Sequence, residues 1–219
     1  MSGIDDARGR LRIVAYSDYV CPWCYIGLQR IERLEREFPV DVEWRPFELH
    51  PETPRDGADL RGRLGDARRV RAYTENIVAL ATESGLALEM PRVVANSHRS
   101  LEAAEFARND ATAGDGAFRA FHRALFAAYF AERRDIGEID VLCEIARAAG
   151  VDDQGLRQAL ADERYAAAVD RITREARADE ILSTPTFVYE GGFRLTGGQE
   201  YAVFESVTRR LLFRRAEAG

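Results

Sequence analysis

Tyr16-Ser17-Asp18-Tyr19-Val20-Cys21-Pro22-Trp23-Cys24-Tyr25-Ile26-Gly27 is the stretch on which the reading of this chain turns. Before it, Leu11-Arg12-Ile13-Val14-Ala15-Tyr16 is a short run of strand formers, broken at Ser17-Asp18. After it, Ile26, Arg30, Ile31, Leu34 and Phe38 recur at helical spacing with charges between them. The two cysteines therefore fall at a strand-to-helix junction. There the orphan backbone N–H groups and the positive end of the helix dipole favour thiolate over thiol. Two intervening residues bring the second sulfur within bonding reach on the first turn. Pro22 is harmless there, because an N–H at the first helical position has no partner in the helix. A thiolate is the attacking species in disulfide exchange. The expected roles are Cys21 as nucleophile and Cys24, one turn further in, as the resolving thiol, with Pro22 and Trp23 tuning the thiolate between them.

Pro39 ends the helix, and Val40-Asp41-Val42-Glu43-Trp44 alternates as a half-buried strand does. The residues from about Leu60 to Asp179 show successive helical stretches and no strand. Val70, Tyr73, Ile77 and Leu80 mark one such face, Phe118, Phe121, Leu125 and Tyr129 another, and Gly85 and Gly150 supply stops. The last forty residues return to β signals. Thr186-Phe187-Val188-Tyr189 and Phe193-Arg194-Leu195-Thr196 flank a Gly191-Gly192 turn, and a closing helix carries Tyr201, Phe204, Val207 and Leu211. The chain is α/β and spells β-α-β, a large all-helical insertion, then β-β-α. The two β-rich ends need each other to make a sheet, so residues 10–58 and 180–216 are expected to form one discontinuous domain, and 59–179 the insertion.

The rival reading of the cysteines is half of a zinc site. Zinc takes four ligands, and the remaining candidates are Cys143 and the scattered His50, His98 and His122, with no second Cys-x-x-Cys. No metal is expected. Two inert buried cysteines are the other alternative, disfavoured by the strand-to-helix context. Cys143, in Val141-Leu142-Cys143-Glu144-Ile145, reads as a small core residue. His122 reads as a packing or helix-surface residue, His98 as exposed at a helix start, and His50 has no nameable partner. In Ser183-Thr184-Pro185-Thr186-Phe187, Pro185 enters a strand where a cis X–Pro bond is accommodated.

Composition sets the outer bounds. The 219 residues are 46% hydrophobic and 31% charged, with 37 acidic and 31 basic residues. The resulting net charge of −6 offers no nucleic-acid or anionic-membrane surface. Every basic residue is arginine. Met1 to Arg8 lacks an apolar core of the kind a leader carries, and no apolar run approaches membrane-span length. The cytoplasm is the expected location, and closely spaced cysteines there are catalytic or metal-binding more often than structural.

Taken together, these stretches resemble the DsbA-like thioredoxin family, in its cytoplasmic FrnE-like branch. The resemblance rests on Ser17 to Gly27, on Trp44-Arg45-Pro46-Phe47-Glu48-Leu49, on Asn96-Ser97 with Leu101 to Ala107, on Phe121-His122 with Ala124 to Phe130, and on Thr184-Pro185-Thr186-Phe187-Val188 with Gly197-Gly198-Gln199. It runs from about residue 10 to 213. It implies a thioredoxin fold carrying a helical insertion and dithiol–disulfide chemistry at Cys21 and Cys24. It further implies that Pro185 is cis and faces the cysteines, with the Thr184 backbone available to pair with an extended substrate segment. Ser183-Thr184 departs from the Gly-Val pair that family members often carry before this proline, which places a hydroxyl beside the cysteines. No bound cofactor is expected. Glutathione is a candidate redox partner, the substrate is a protein or small-molecule thiol or disulfide, and the chain is a monomer or homodimer. On the same fold, a glutathione-dependent isomerase or kappa-class-like transferase is the alternative; in another class, a non-catalytic peptide-binding chaperone.

Overall fold

The computed structural model describes residues 9–114 and 116–217; the polar N-terminal stretch Met1 to Arg8 lies outside the described residues. β1 (Leu11–Ser17) buries Leu11, Ile13 and Ala15 in the alternation its sequence sets. α1 (Pro22–Glu37) starts with proline at its first turn and stops at Phe38, ahead of Pro39. It turns Ile26, Leu28, Ile31 and Leu34 inward. β2 (Val40–Pro46) then lies parallel to β1, Leu11 opposite Val40 and Ala15 opposite Trp44.

The chain next leaves this frame. β3 (Ala58–Asp59) leads into α2 (Leu60–Leu64) and α3 (Ala67–Glu83), and β4 (Val93–Val94) returns antiparallel to β3. This two-stranded ribbon corrects the reading of the insertion as free of strands. Its two-residue strands are too short for an alternating pattern to register in sequence. α4 (His98–Asn109) follows, then α5 (Ala117–Phe130), α6 (Ile139–Ala149), α7 (Asp153–Ala161) and α8 (Ala166–Ala178). α4 is the hub, buried from Ser100 to Ala107 and packed by α5, α6, α7 and α8.

β5 (Thr186–Tyr189) and β6 (Arg194–Thr196) complete a four-stranded sheet in the order β2-β1-β5-β6, and α9 (Tyr201–Glu217) closes the chain. β5 runs antiparallel to β1, pairing Ala15 with Phe187. The Phe204 ring of α9 meets Phe187 edge-on, with centroids 4.9 Å apart.

One hydrophobic core runs through both halves. The insertion docks by aromatic stacking. Tyr25 of α1 lies nearly parallel to Phe126 and Phe130 of α5, with centroids 5.7 and 5.6 Å away. At the rim of that contact Arg119 pairs with both oxygens of Glu35, and Arg123 pairs with Glu32. Among the described residues no helix is long and apolar enough to cross a membrane.

Candidate active site: a reduced dithiol facing a cis-proline

Cys21 occupies the N-cap of α1, with extended backbone (φ −91°, ψ 112°) and no side-chain cap. Its carbonyl accepts from the Cys24 N–H at 3.0 Å and the Tyr25 N–H at 3.3 Å, which sets both sulfurs on the first turn. All three cysteines are free thiols. Cys24 is fully buried, whereas Cys21 keeps 4% of its surface at the cleft floor. Cys143 is buried in α6, as expected of a core residue.

The opposite wall is Thr184-Pro185. The peptide between them is cis, and the Cys21 thiol donates to the Thr184 carbonyl at 3.5 Å. Gly27 permits this approach, since a Cβ there would sit 3.3 Å from the Phe187 ring and 3.5 Å from Pro185. Trp23 is fixed from the far side by Gly198, whose absent Cβ would fall 2.3 Å from the indole. Arg30 of α1 donates to the Gly198 carbonyl at 2.8 Å and so ties α1 to the turn before α9.

The electrostatics separate the two sulfurs. Burial opposes a Cys21 thiolate, but hydrogen bonds from the Cys24 thiol, the Thr184 hydroxyl and the Cys24 N–H outweigh it, so the Cys21 pKa lies below the ordinary thiol value. The Thr184 hydroxyl is buried and has no hydrogen-bond partner among the described residues, which leaves its proton free to turn to a Cys21 thiolate. Burial pushes the Cys24 thiol well up, and its hydrogen bond to Cys21 and the neighbouring charge push it further. The first turn thus favours the thiolate at Cys21 and the protonated thiol at Cys24.

Asp18 is a feature the sequence reading passed over, treating Ser17-Asp18 only as a strand break. Its carboxyl is fully buried, and burial raises its pKa to about 6 against hydrogen bonds from the Leu49 N–H, the Ser97 hydroxyl and the Val20 N–H. It also opposes the Cys21 thiolate through space. The available signal was its position three residues before Cys21.

Beside Cys21 opens a cavity of about 260 Å³, lined among others by Trp23, Leu64, Tyr73, Met90, Val94 and Thr184. Much of this mostly apolar wall comes from the insertion. His50, also on its lining, pairs with Glu52 at 3.1 Å. His122 is a buried packing residue whose Nδ1 meets the Tyr19 hydroxyl at 2.7 Å. The expectation of an exposed His98 is corrected. It is half-buried with Nδ1 2.9 Å from Glu48, because the loop after β2 folds over the start of α4.

Comparison with known proteins agrees with this geometry. The chain is similar to the probable DsbA oxidoreductase SCO1869 from Streptomyces coelicolor, at 28% identity and a TM-score of 0.82, over 92% of this chain and 89% of that one. Two further solved structures share the fold. A 2-hydroxychromene-2-carboxylate isomerase superimposes at TM-score 0.76 and 18% identity, over 95% and 99% of the two chains. The cytosolic disulfide reductase DsbM from Pseudomonas aeruginosa, in a structure with GSH, superimposes at 0.65 and 20%, over 91% and 100%. The family model for the DSBA-like thioredoxin domain matches residues 12–208. With a Cys-x-x-Cys pair at the start of α1, a cis-proline opposite and nearly the whole length matched, the chain belongs to the DsbA-like thioredoxin-domain family.

Proposed function

We propose that the protein is a thiol–disulfide oxidoreductase that exchanges disulfides with a protein or small-thiol substrate through Cys21 and Cys24. The observation that carries this reading is the division of labour at one helix start: a Cys21 thiol held below its usual pKa, 3.5 Å from the Thr184 carbonyl, with a fully buried Cys24 thiol held well above. The Cys21 thiolate attacks one sulfur of a substrate disulfide, forming a mixed disulfide and releasing the other sulfur as a thiolate that takes up a proton. Cys24 then loses its proton and attacks the Cys21 sulfur. The substrate leaves as a dithiol and the protein holds the Cys21–Cys24 disulfide. Two electrons pass to substrate, and two thiols such as glutathione restore the dithiol: one attacks the Cys21–Cys24 disulfide, the second attacks the resulting mixed disulfide, and the pair leaves as its own disulfide. The same bonds run in reverse when the protein acts as oxidant. Pro22 and Trp23 shape the thiolate's surroundings, and the Thr184-Pro185 backbone aligns an extended substrate. The helical insertion supplies the apolar wall. The cytoplasm is the compartment this cycle suits, where thiols resupply electrons.

The test is mixed-disulfide trapping. Cys24→Ser should accumulate covalent adducts through Cys21, and Cys21→Ser should reduce turnover in a disulfide-reduction or oxidation assay to background. Full activity in Cys21→Ser defeats the reading. The isomerase alternative is favoured by one observation, the overlay of an isomerase on nearly the whole chain. Glutathione-dependent isomerisation that survives Cys24→Ala would select it, since that chemistry has no need of a resolving thiol.

A further inference from the structure

A second polar region lies across residues 48–50 from the cysteine cleft. Here a cavity of about 400 Å³ is lined among others by Glu48, His98, Glu102 and Asp170. Glu48 comes from the loop after β2, His98 and Glu102 stand one turn apart on α4, and Asp170 is on α8. Glu48, His98 and Asp170 each present a donor atom, all within 4.8 Å of one another. Glu48 and Glu102 are 4% and 2% exposed, yet His98 is the partner shared by both: Nδ1 lies 2.9 Å from Glu48 and Nε2 lies 3.8 Å from Glu102. The Glu102 Oε2 is buried with no hydrogen-bond partner among the described residues. Two arginines reach the same cavity, but Arg99 donates to the Gly137 carbonyl and Arg55 to Glu163.

Two buried carboxylates and a third at the mouth, gathered around one imidazole, concentrate negative charge that a proton on His98 offsets only once. We propose that Glu48, His98 and Asp170 bind a first-row divalent cation such as Zn(II), with Glu102 orienting the imidazole from behind. The 2.9 Å from Glu48 to Nδ1 is a hydrogen bond; two tetrahedral bonds of about 2.0–2.2 Å would hold these atoms roughly 3.3–3.6 Å apart, so the pair has only to open by about half an ångström to admit the ion. Once the proton on Nδ1 yields to the ion, Nε2–H turns to the Glu102 carboxylate, whose Oε1 lies 3.8 Å away; metal-bound histidines characteristically give their second N–H to a carboxylate. Imidazole with carboxylates suits zinc and its neighbours over the all-oxygen preference of calcium or magnesium. Remaining positions open to water in the cavity. The ion would join the loop after β2 to α4 and α8 and so fasten the insertion to the thioredoxin frame. This site is separate from the cysteines, where no metal is expected.

The experiment uses the full chain carrying Cys21→Ser and Cys24→Ser, so that the dithiol cannot bind metal, after chelator treatment. Zn(II) titration by calorimetry should give saturable binding of one ion per chain, and the melting temperature should rise with metal concentration. Co(II) should give a ligand-field spectrum without a thiolate charge-transfer band. His98→Ala and Asp170→Asn should each weaken binding at least about ten-fold. Asp170 is exposed, so its variant keeps the fold even where His98→Ala does not. Absence of saturable binding, a thiolate band, or unchanged affinity in Asp170→Asn overturns the proposal.

Discussion

His122 and His98 are the same residue type on two faces of one insertion, and their surroundings drive them in opposite directions. His122 on α5 is walled by Tyr19, Trp44, Phe118 and Phe126, and burial, with Arg108, Arg123 and Arg119 adding, lowers its pKa to about 3. His98 on α4 faces carboxylates. Its hydrogen bond to Glu48 raises its pKa despite burial, with Glu48, Glu102 and Asp170 adding to the rise. The α5 face is thus apolar inside and charged at its rim, while the α4–α8 face is charged within. Surrounding rings favour the neutral imidazole, and surrounding carboxylates favour its charged form.

The largest expected effect comes from His122. Its folded pKa is depressed from the usual 6.5 to about 3, so below pH 6.5 the unfolded chain binds a proton that the folded chain refuses. Stability should fall as pH drops from about 6.5 to about 3, by roughly 5 kcal/mol from this group alone. His122→Phe retains a ring among its aromatic neighbours and should remove that acid slope. Urea midpoints across the acid range check this, and an unchanged slope in the variant breaks the contrast between the two faces. His98 works the other way, its contribution being present in acid and fading as pH rises through its raised pKa.

Asp18, between the two regions, comes second and has the opposite sign. Burial raises its pKa from 3.8 to about 6, so the folded chain binds the extra proton across that window. Stability from this group rises as pH falls from about 6 to about 4, by roughly 3 kcal/mol. Relative to Asp18→Asn, the native protein should therefore gain that amount between about pH 7 and pH 4. Removing the carboxylate should also lower the Cys21 pKa, read from the pH dependence of thiol alkylation, because its charge opposes the thiolate.

These two groups show where the sequence was legible. The Cys21–Cys24 pair, the order β-α-β then β-β-α, and Pro185 opposite the cysteines could all be read, because each is a local pattern or a family resemblance. The strand ribbon at Ala58–Asp59 and Val93–Val94 could not, nor could the environments of His98 and His122. A histidine's charge depends on what folds against it, here Glu48 from fifty positions away and Tyr19 from more than a hundred. Asp18 falls between: its place before the cysteines was visible, its burial was not.

Tyr19→Phe probes the apolar face more gently. The variant keeps the ring against Phe126 but removes the only hydrogen bond to His122 seen among the described residues, whose Nε2 is already unpartnered. An orphaned buried polar group costs about 1–3 kcal/mol. That loss should appear in denaturant melts at neutral pH and shrink in a His122→Phe background, where no imidazole is left to strand. Equal losses in both backgrounds would mean that the tyrosine hydroxyl acts through something other than His122.

The smallest effect lies at the charged rim of the same face. Arg119 engages both oxygens of Glu35, joining α5 to α1 at 2.6–2.7 Å, and the Glu35 side chain is only 10% exposed while Arg119 is 47% exposed. The geometry is the favourable fork-to-fork arrangement, but half of the guanidinium is in water, where Coulomb attraction is screened and ordering two long side chains offsets much of the gain. A double-mutant cycle with Arg119→Ala and Glu35→Ala should therefore return a coupling of about 0.5–1 kcal/mol, smaller at high salt. A coupling above about 2 kcal/mol would mean that the rim, and not the stacking of Tyr25 on Phe126 and Phe130, holds the insertion against α1. The apolar face would then be a filler between charged edges, and the contrast with the α4–α8 face would be one of degree.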